Sequence, residues 1–156
     1  MMARTNEWMV TNMVTATPFE TVAEVARRMS SNNVGAVLVV QEGELWGLFS
    51  ERDLVTRVVA QKRDPNATDV GQVATREVVT IDADAPMQTV LRVFRENKFR
   101  HLPVVQGGKP VGILSTRDFL GFLVQRCERC IDDVNYHRKL EEGVDPYDHP
   151  GGSYGR

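Results

Sequence analysis

Apolar residues recur along this chain in two alternating patterns. Behind Thr21, residues Val22, Val25, Ala26 and Met29 return at helical spacing, and Glu24, three residues beyond Thr21, completes a capping box. The pattern predicts an amphipathic helix. A short apolar run follows, Val37 to Val40, rich in β-branched residues and ended by Gln41-Glu42-Gly43. A second run, Leu45 to Phe49, leads straight into a helical spacing over Asp53 to Ala60. These predict a buried strand, a hairpin turn, a returning strand and a second helix. The succession then recurs. Met87, Val90, Leu91 and Phe94 mark a helix with Pro86 in its first turn and Asp84 as its cap. Leu102 to Val105, Gln106-Gly107-Gly108 and Val111 to Leu114 give strand, turn and strand again, and a helix over Asp118 to Cys130 closes the unit.

The recurrence keeps one offset. Val14 to Leu54 aligns with Val79 to Phe119, 65 positions on, without a gap, and 13 of the 41 aligned residues are identical. Chance would give only a few, so one supersecondary unit is used twice; two copies that each leave an apolar face uncovered bury it against one another. The unit reads β-α-β-β-α, an α+β fold, and a ligand is expected between the copies. The first repeat is expected over 8–60 and the second over 73–130, with a linker at 61–72 around Lys62-Arg63-Asp64-Pro65-Asn66. Residues 131–156, rich in Gly, Pro and Asp towards the end, read as a polar tail, mobile or used for docking.

Charge and composition narrow the function. A formal net charge of −2 and a pI near 5.9 leave no concentrated basic face, so neither nucleic acid nor anionic lipid is an expected partner. The longest apolar run, Val34 to Val40, falls far short of the roughly 20 residues of a membrane span, and Met1 to Trp8 has no apolar stretch. Two cysteines, Cys127 and Cys130, are too few and too close for a secreted disulfide framework, and a cytoplasmic location is expected. With His137 and His149 downstream they form a weak metal candidate, lacking the matched spacings of a zinc site. No metal is expected, and two thiols packed on one helical face are the simpler account. No nucleophile sits in a catalytic motif, no Walker loop appears and no carboxylates pair for acid–base work, so the chain is not expected to be an enzyme.

One motif is written twice: Gly47-Leu48-Phe49-Ser50-Glu51-Arg52-Asp53 and Gly112-Ile113-Leu114-Ser115-Thr116-Arg117-Asp118. Ser-x-x-Asp ahead of an apolar helical run is a capping box in the wider sense, which alone would explain either copy. Both copies also bring a hydroxyl, an arginine and a carboxylate to the start of a helix. Free N–H groups there suit phosphate, and a carboxylate's two oxygens match the adjacent hydroxyls of a ribose. Together they describe a nucleotide.

With both motifs, the run Arg100-His101-Leu102-Pro103-Val104-Val105 and the spacing of the units, the stretch Trp8 to Val124 resembles the cystathionine β-synthase (CBS) domain pair, or Bateman module. The resemblance implies two repeats about a pseudo-twofold axis, with AMP, ADP, ATP or another adenosine ligand between them as a regulatory signal. NAD and S-adenosylmethionine carry the same adenosine. It implies crossed sites. One joins Leu48, Ser50, Arg52 and Asp53 to Val78, Val79, Phe99, Arg100 and His101; the other joins Ile113, Ser115, Arg117 and Asp118 to Met13, Val14, Val34, Gly35 and Ala36. Asp would hold the ribose, Ser and Arg the phosphate, and the apolar residues the adenine. Gly35-Ala36 stands where the other copy has Arg100-His101, so the sites are expected to be unequal, the first favouring more phosphate charge. The resemblance further implies a homodimer, joined through helix faces around Val55, Val58, Val59 and Phe119, Phe122, Leu123, and a protein target. The alternative is an adaptor whose clefts hold no nucleotide and whose tail, Val134 to Arg156, recruits a partner.

Overall fold

Each repeat lays down the same three-stranded sheet. A computed structural model describes residues 4–141, without certain side chains of the last helix, those of Phe122, Cys130 and His137 among them. In the first repeat β1 (Thr15–Ala16) runs parallel to β2 (Ala36–Gln41), and β2 pairs antiparallel with β3 (Glu44–Ser50). In the second, β4 (Ile81–Asp82), β5 (His101–Gln106) and β6 (Lys109–Ser115) repeat the order and the senses. Both hairpins close through two-residue loops, with Gln41 opposite Glu44 and Gln106 opposite Lys109. Glu42 and Gly43 have φ of 53° and 80°, and Gly107 and Gly108 58° and 84°, the double left-handed geometry that a tight hairpin between twisted strands requires. The mixed α+β architecture expected from the repeat is thus present.

Helix α1 (Val22–Ser31) starts where the capping box places it. The Thr21 hydroxyl accepts the Glu24 N–H at 3.3 Å, and the Glu24 carboxylate accepts the Thr21 N–H at 3.1 Å. Its apolar stripe, Val22, Val25 and Met29, is buried. Helix α4 (Met87–Glu96) corrects the expectation for Asp84. Pro86, in extended conformation, takes the N-cap position, and its carbonyl accepts the Thr89 N–H at 2.8 Å. Asp84 stands too early to cap; its carboxylate pairs instead with Arg4 at 3.3 Å. After β3 comes α2 (Glu51–Asp53), continued by a π-helical turn over Leu54–Val59, with bonds five residues apart from Ala60 N–H to Val55 and from Arg63 N–H to Val58.

The two lead-in segments cross, which the sequence reading did not anticipate. Helix α3 (Val70–Val73) straddles the end expected for the linker at 72, and its residues enter the first repeat. Val70 N–H donates to Glu20 O and Gly71 N–H to Pro18 O, and Thr75 exchanges two backbone bonds with Leu48 on β3. The counterpart 65 positions earlier does the same to the second repeat. Thr5 N–H donates to Ala85 O, Asn6 N–H to Ala83 O, and Val10 exchanges two bonds with Ile113 on β6. The core of the first repeat therefore combines Val22, Val25, Val37, Val39, Phe49 and Val58 with Val70, Val73 and Ala74. Val58 points into this core, which corrects its expected place on an exposed helix face; Val55 and Val59 are exposed. Phe119, expected on the matching face, is buried.

Helix α5 (Thr116–Glu141), nearly all of it in a second unit, continues well past Cys130, where the sequence reading ended it. Residues 131–141 of the expected tail are helical, and the rest of the tail lies outside the described residues. No helix among the described residues is long and apolar enough to cross a membrane.

Candidate functional site

Strand β3 ends at Ser50, and the next turn of chain carries Glu51, Arg52 and Asp53 to the rim of a cavity of about 260 Å³. The facing wall comes from the second repeat: Val78 and Val79 ahead of β4, Phe99 and Arg100 after α4, and His101 opening β5. The structure brings together all nine residues expected for the first site. Backbone register explains the meeting. Thr75 is bonded to Leu48 on β3, so the chain from Thr75 to Val79 leaves the first repeat at the cavity's edge. Phe99 is set by an edge-to-face contact with Phe94, centroids 6.2 Å apart.

Five further residues line the cavity: Gly35, Glu51, Arg57, Thr75 and Glu77. Gly35 had been assigned to the second site. A Cβ there would stand 3.3 Å from both Glu51 Oε2 and His101 Nε2, so the missing side chain is the room those two groups occupy. Glu51 was legible as a variable position of the repeated motif, and Glu77 and Arg57 carried no signal beyond their charge.

Asp53 is 7% exposed and heavily engaged. Its Oδ2 accepts the Ser50 N–H at 2.9 Å and the Ser50 hydroxyl at 2.7 Å, while Oδ1 lies 3.4 Å from Arg57 Nε. The Ser50 hydroxyl also accepts the Asp53 N–H at 3.4 Å. The capping account is thus true of Ser50. A carboxylate offers about four acceptor positions, so Oδ1 keeps room for one further donor from the cavity.

The repeat, the crossed lead-ins and this cavity agree with the family comparison. The sequence profile of the CBS domain matches residues 6–60 and again residues 70–125. The chain belongs to the CBS domain family. It is 32% identical over 117 residues to the CBS domain-containing protein YhcV of Bacillus subtilis strain 168, covering 75% of this chain and 83% of that one. It is also 32% identical over 111 residues to the uncharacterized protein MK0525 of Methanopyrus kandleri, covering 70% of this chain but only 57% of that relative. Among solved structures, an uncharacterized conserved protein from Pyrococcus horikoshii superposes with a TM-score of 0.73 at 28% identity, over 78% of this chain and 92% of that one. The CBS domain pair of MJ0100, solved with 5′-methylthioadenosine and S-adenosyl-L-methionine, shares the fold at a TM-score of 0.73 and 21% identity, over 80% and 98%. CBS pairs are regulatory ligand-binding modules.

The residues expected for the second site fall in two units. Met13 and Val14 precede β1, with Val14 O accepting the Leu38 N–H at 3.3 Å; Val34 N–H reaches Met29 O; Ala36 opens β2 opposite Ser50; and Ile113 and Ser115 lie on β6. Arg117 and Asp118 stand in the first turn of α5, in the second unit. Cys127 carries an exposed free thiol on α5, where a packed one was expected. The side chains of Cys130 and His137, and His149 as a whole, lie outside the described residues. Among the described residues no cluster of three or more His, Cys, Asp or Glu is arranged to hold a metal ion.

Proposed function

We propose that this CBS pair senses an adenine nucleotide in the cavity between Ser50–Asp53 and His101, and passes its occupancy to a protein partner. The observation that carries this reading is the convergence of nine residues from both repeats, apolar side chains and arginines among them, on one cavity. Leu48, Val78, Val79 and Phe99 offer the adenine an apolar slot. Arg52 and Arg100 supply charge-assisted hydrogen bonds to phosphate. Asp53 takes one ribose hydroxyl on Oδ1, since Oδ2 is filled by Ser50. The adenosine compounds bound by the MJ0100 pair have the same nucleoside part and support the ligand class.

The charge of the cavity selects within that class. Three guanidinium groups, Arg52, Arg57 and Arg100, share the lining with three carboxylates, Glu51, Asp53 and Glu77, so their charges balance. A volume of about 260 Å³ lies near the lower end of ligand pockets, which run from roughly 300 Å³ upward. AMP suits both better than ATP. A sensor must release its signal as levels vary, so an affinity of about micromolar to millimolar is expected, roughly −8 to −4 kcal/mol.

Isothermal titration of the purified protein with AMP, ATP, NAD, 5′-methylthioadenosine and S-adenosylmethionine tests the reading. Saturable AMP binding weakened about tenfold or more by Asp53→Ala supports it. Absence of heat from every ligand, in protein free of co-purified nucleotide, removes it and leaves the adaptor. The homodimer is part of the proposal: Val55 and Val59, 59% and 66% exposed, form an apolar patch on one turn. Light scattering at twice the 17.5 kDa chain mass, returning to one chain in Val55→Glu, supports it; a wild-type monomer rejects it.

A further inference from the structure

Arg57 is a cavity residue with one contact in the first repeat and another in the crossing lead-in. It lies one turn beyond Asp53, where the helix widens to the π form, a distortion that recurs at functional sites. Its Nε stands 3.4 Å from Asp53 Oδ1, and its Nη1 donates to Val73 O at 2.8 Å. Val73 ends helix α3 of the crossing lead-in and is fully buried, so the carbonyl is a fixed point. The Arg57 side chain is 45% exposed and reaches the cavity, whereas that of Asp53 is 10% exposed. The repeat places Phe122 where Arg57 would recur, so the second motif has no such cation.

We infer that Arg57 is a positioning residue for Asp53: it clamps the carboxylate to the second repeat's lead-in and aims the open side of Oδ1 into the cavity. The inference rests on the adenosine reading and adds to it a determinant of affinity that acts through the ribose. A guanidinium is suited to this because its planar fork holds a carboxylate and a carbonyl at once, which a lysine's single head does less well.

The test is a double-mutant cycle read by titration with adenosine and with AMP. Arg57→Met lowers the affinity for both ligands by the same factor, about tenfold, and Arg57→Lys by an intermediate one. In an Asp53→Ala background the further change of Arg57 costs less than about twofold, because its target is gone. A residue that only supported the fold would weaken binding equally in both backgrounds, and that result overturns the inference. So does a loss confined to AMP, which would make Arg57 a direct phosphate contact. So does full affinity in Arg57→Lys when Asp53→Ala has lost it. If Arg57→Met does not fold, the Lys variant carries the same cycle. A wild type that binds neither ligand rejects the adenosine reading and this inference together; a wild type that binds, with Asp53→Ala impaired and Arg57→Met unimpaired, rejects the inference alone.

Discussion

Glu51 and Glu77 face a cavity whose arginines would otherwise suit a polyphosphate. Both are exposed, so each opposes the charge of a ligand only through partly screened contacts, worth up to about 1 kcal/mol. Glu51→Gln with Glu77→Gln is therefore expected to raise ATP affinity about three- to tenfold and to change adenosine affinity hardly at all. Equal gains for both ligands would mean that the glutamates act on something other than phosphate charge. At the opposite end of the first repeat, two carboxyls make stability depend on pH. The Arg28 guanidinium, hydrogen-bonded to Glu20, holds that carboxyl below its usual 4.5, and the hydroxyl and amide of Thr21 do the same for Glu24. A carboxyl lowered in the folded state binds fewer protons there than in the unfolded chain. Its stabilisation is complete above about pH 4.5 and is lost as the pH falls through the folded value. The melting temperature should drop between about pH 6 and pH 3 by less in Glu20→Gln than in the wild type. Parallel curves would show that the pair contributes nothing.

At the scale of the element, the glycines of the repeated motif mark where chains cross. A Cβ on Gly47 would stand 2.6 Å from the Thr75 carbonyl oxygen, which accepts the Leu48 N–H while the Thr75 N–H donates back to Leu48, so the backbone there is held to β3 by two hydrogen bonds. On Gly112 it would meet Met9 Sδ at 2.6 Å and Cγ at 2.9 Å, in a side chain that can swing aside. Gly47→Ala is expected to cost about 1 to 3 kcal/mol and Gly112→Ala less, measured by urea unfolding. The reverse order would mean that the Thr75 crossing gives way more readily than the Met9 side chain. These glycines were visible in the sequence, and so were α1 and the hairpins, because the helical period, the Thr21 box and the Gly-rich turns are local signals; the nine residues of the cavity came together only through the resemblance to the CBS pair, since they lie in two repeats. The crossing was not. Thr5 and Val70 occupy equivalent places in the two exchanged segments, yet one is a threonine whose hydroxyl bonds to Ala85 and the other a core valine, so no shared pattern announced them. Arg57 escaped for a related reason: its partners, Asp53 and Val73, come from both sides of the linker, and a charge at one position says nothing of a carbonyl 16 residues away.

For the whole molecule, the exchanged segments make each repeat incomplete without the other. The first repeat draws Val70, Val73 and Ala74 from the lead-in to the second, and full burial of a valine contributes roughly 1.5 kcal/mol or more. Loss of the three removes on the order of 4 kcal/mol, a large part of the 5 to 15 kcal/mol that a domain commonly has. The exchange also gives a ligand in the cavity a means of being felt at a distance. Ser50 to Asp53 belong to one repeat and Val78 to His101 to the other, so the proposed ligand, bound across them, would stabilise the exchanged arrangement over any state in which the lead-ins let go. Cutting the chain between Lys62 and Arg63, in an exposed stretch, tests both points. Neither fragment alone is expected to melt cooperatively by circular dichroism, an equimolar mixture should recover one transition, and AMP should raise the melting temperature of the mixture more than that of the intact chain, because it then also holds two molecules together. A first fragment that folds and melts cooperatively alone would show that the crossed segments decorate the repeats and do not complete them.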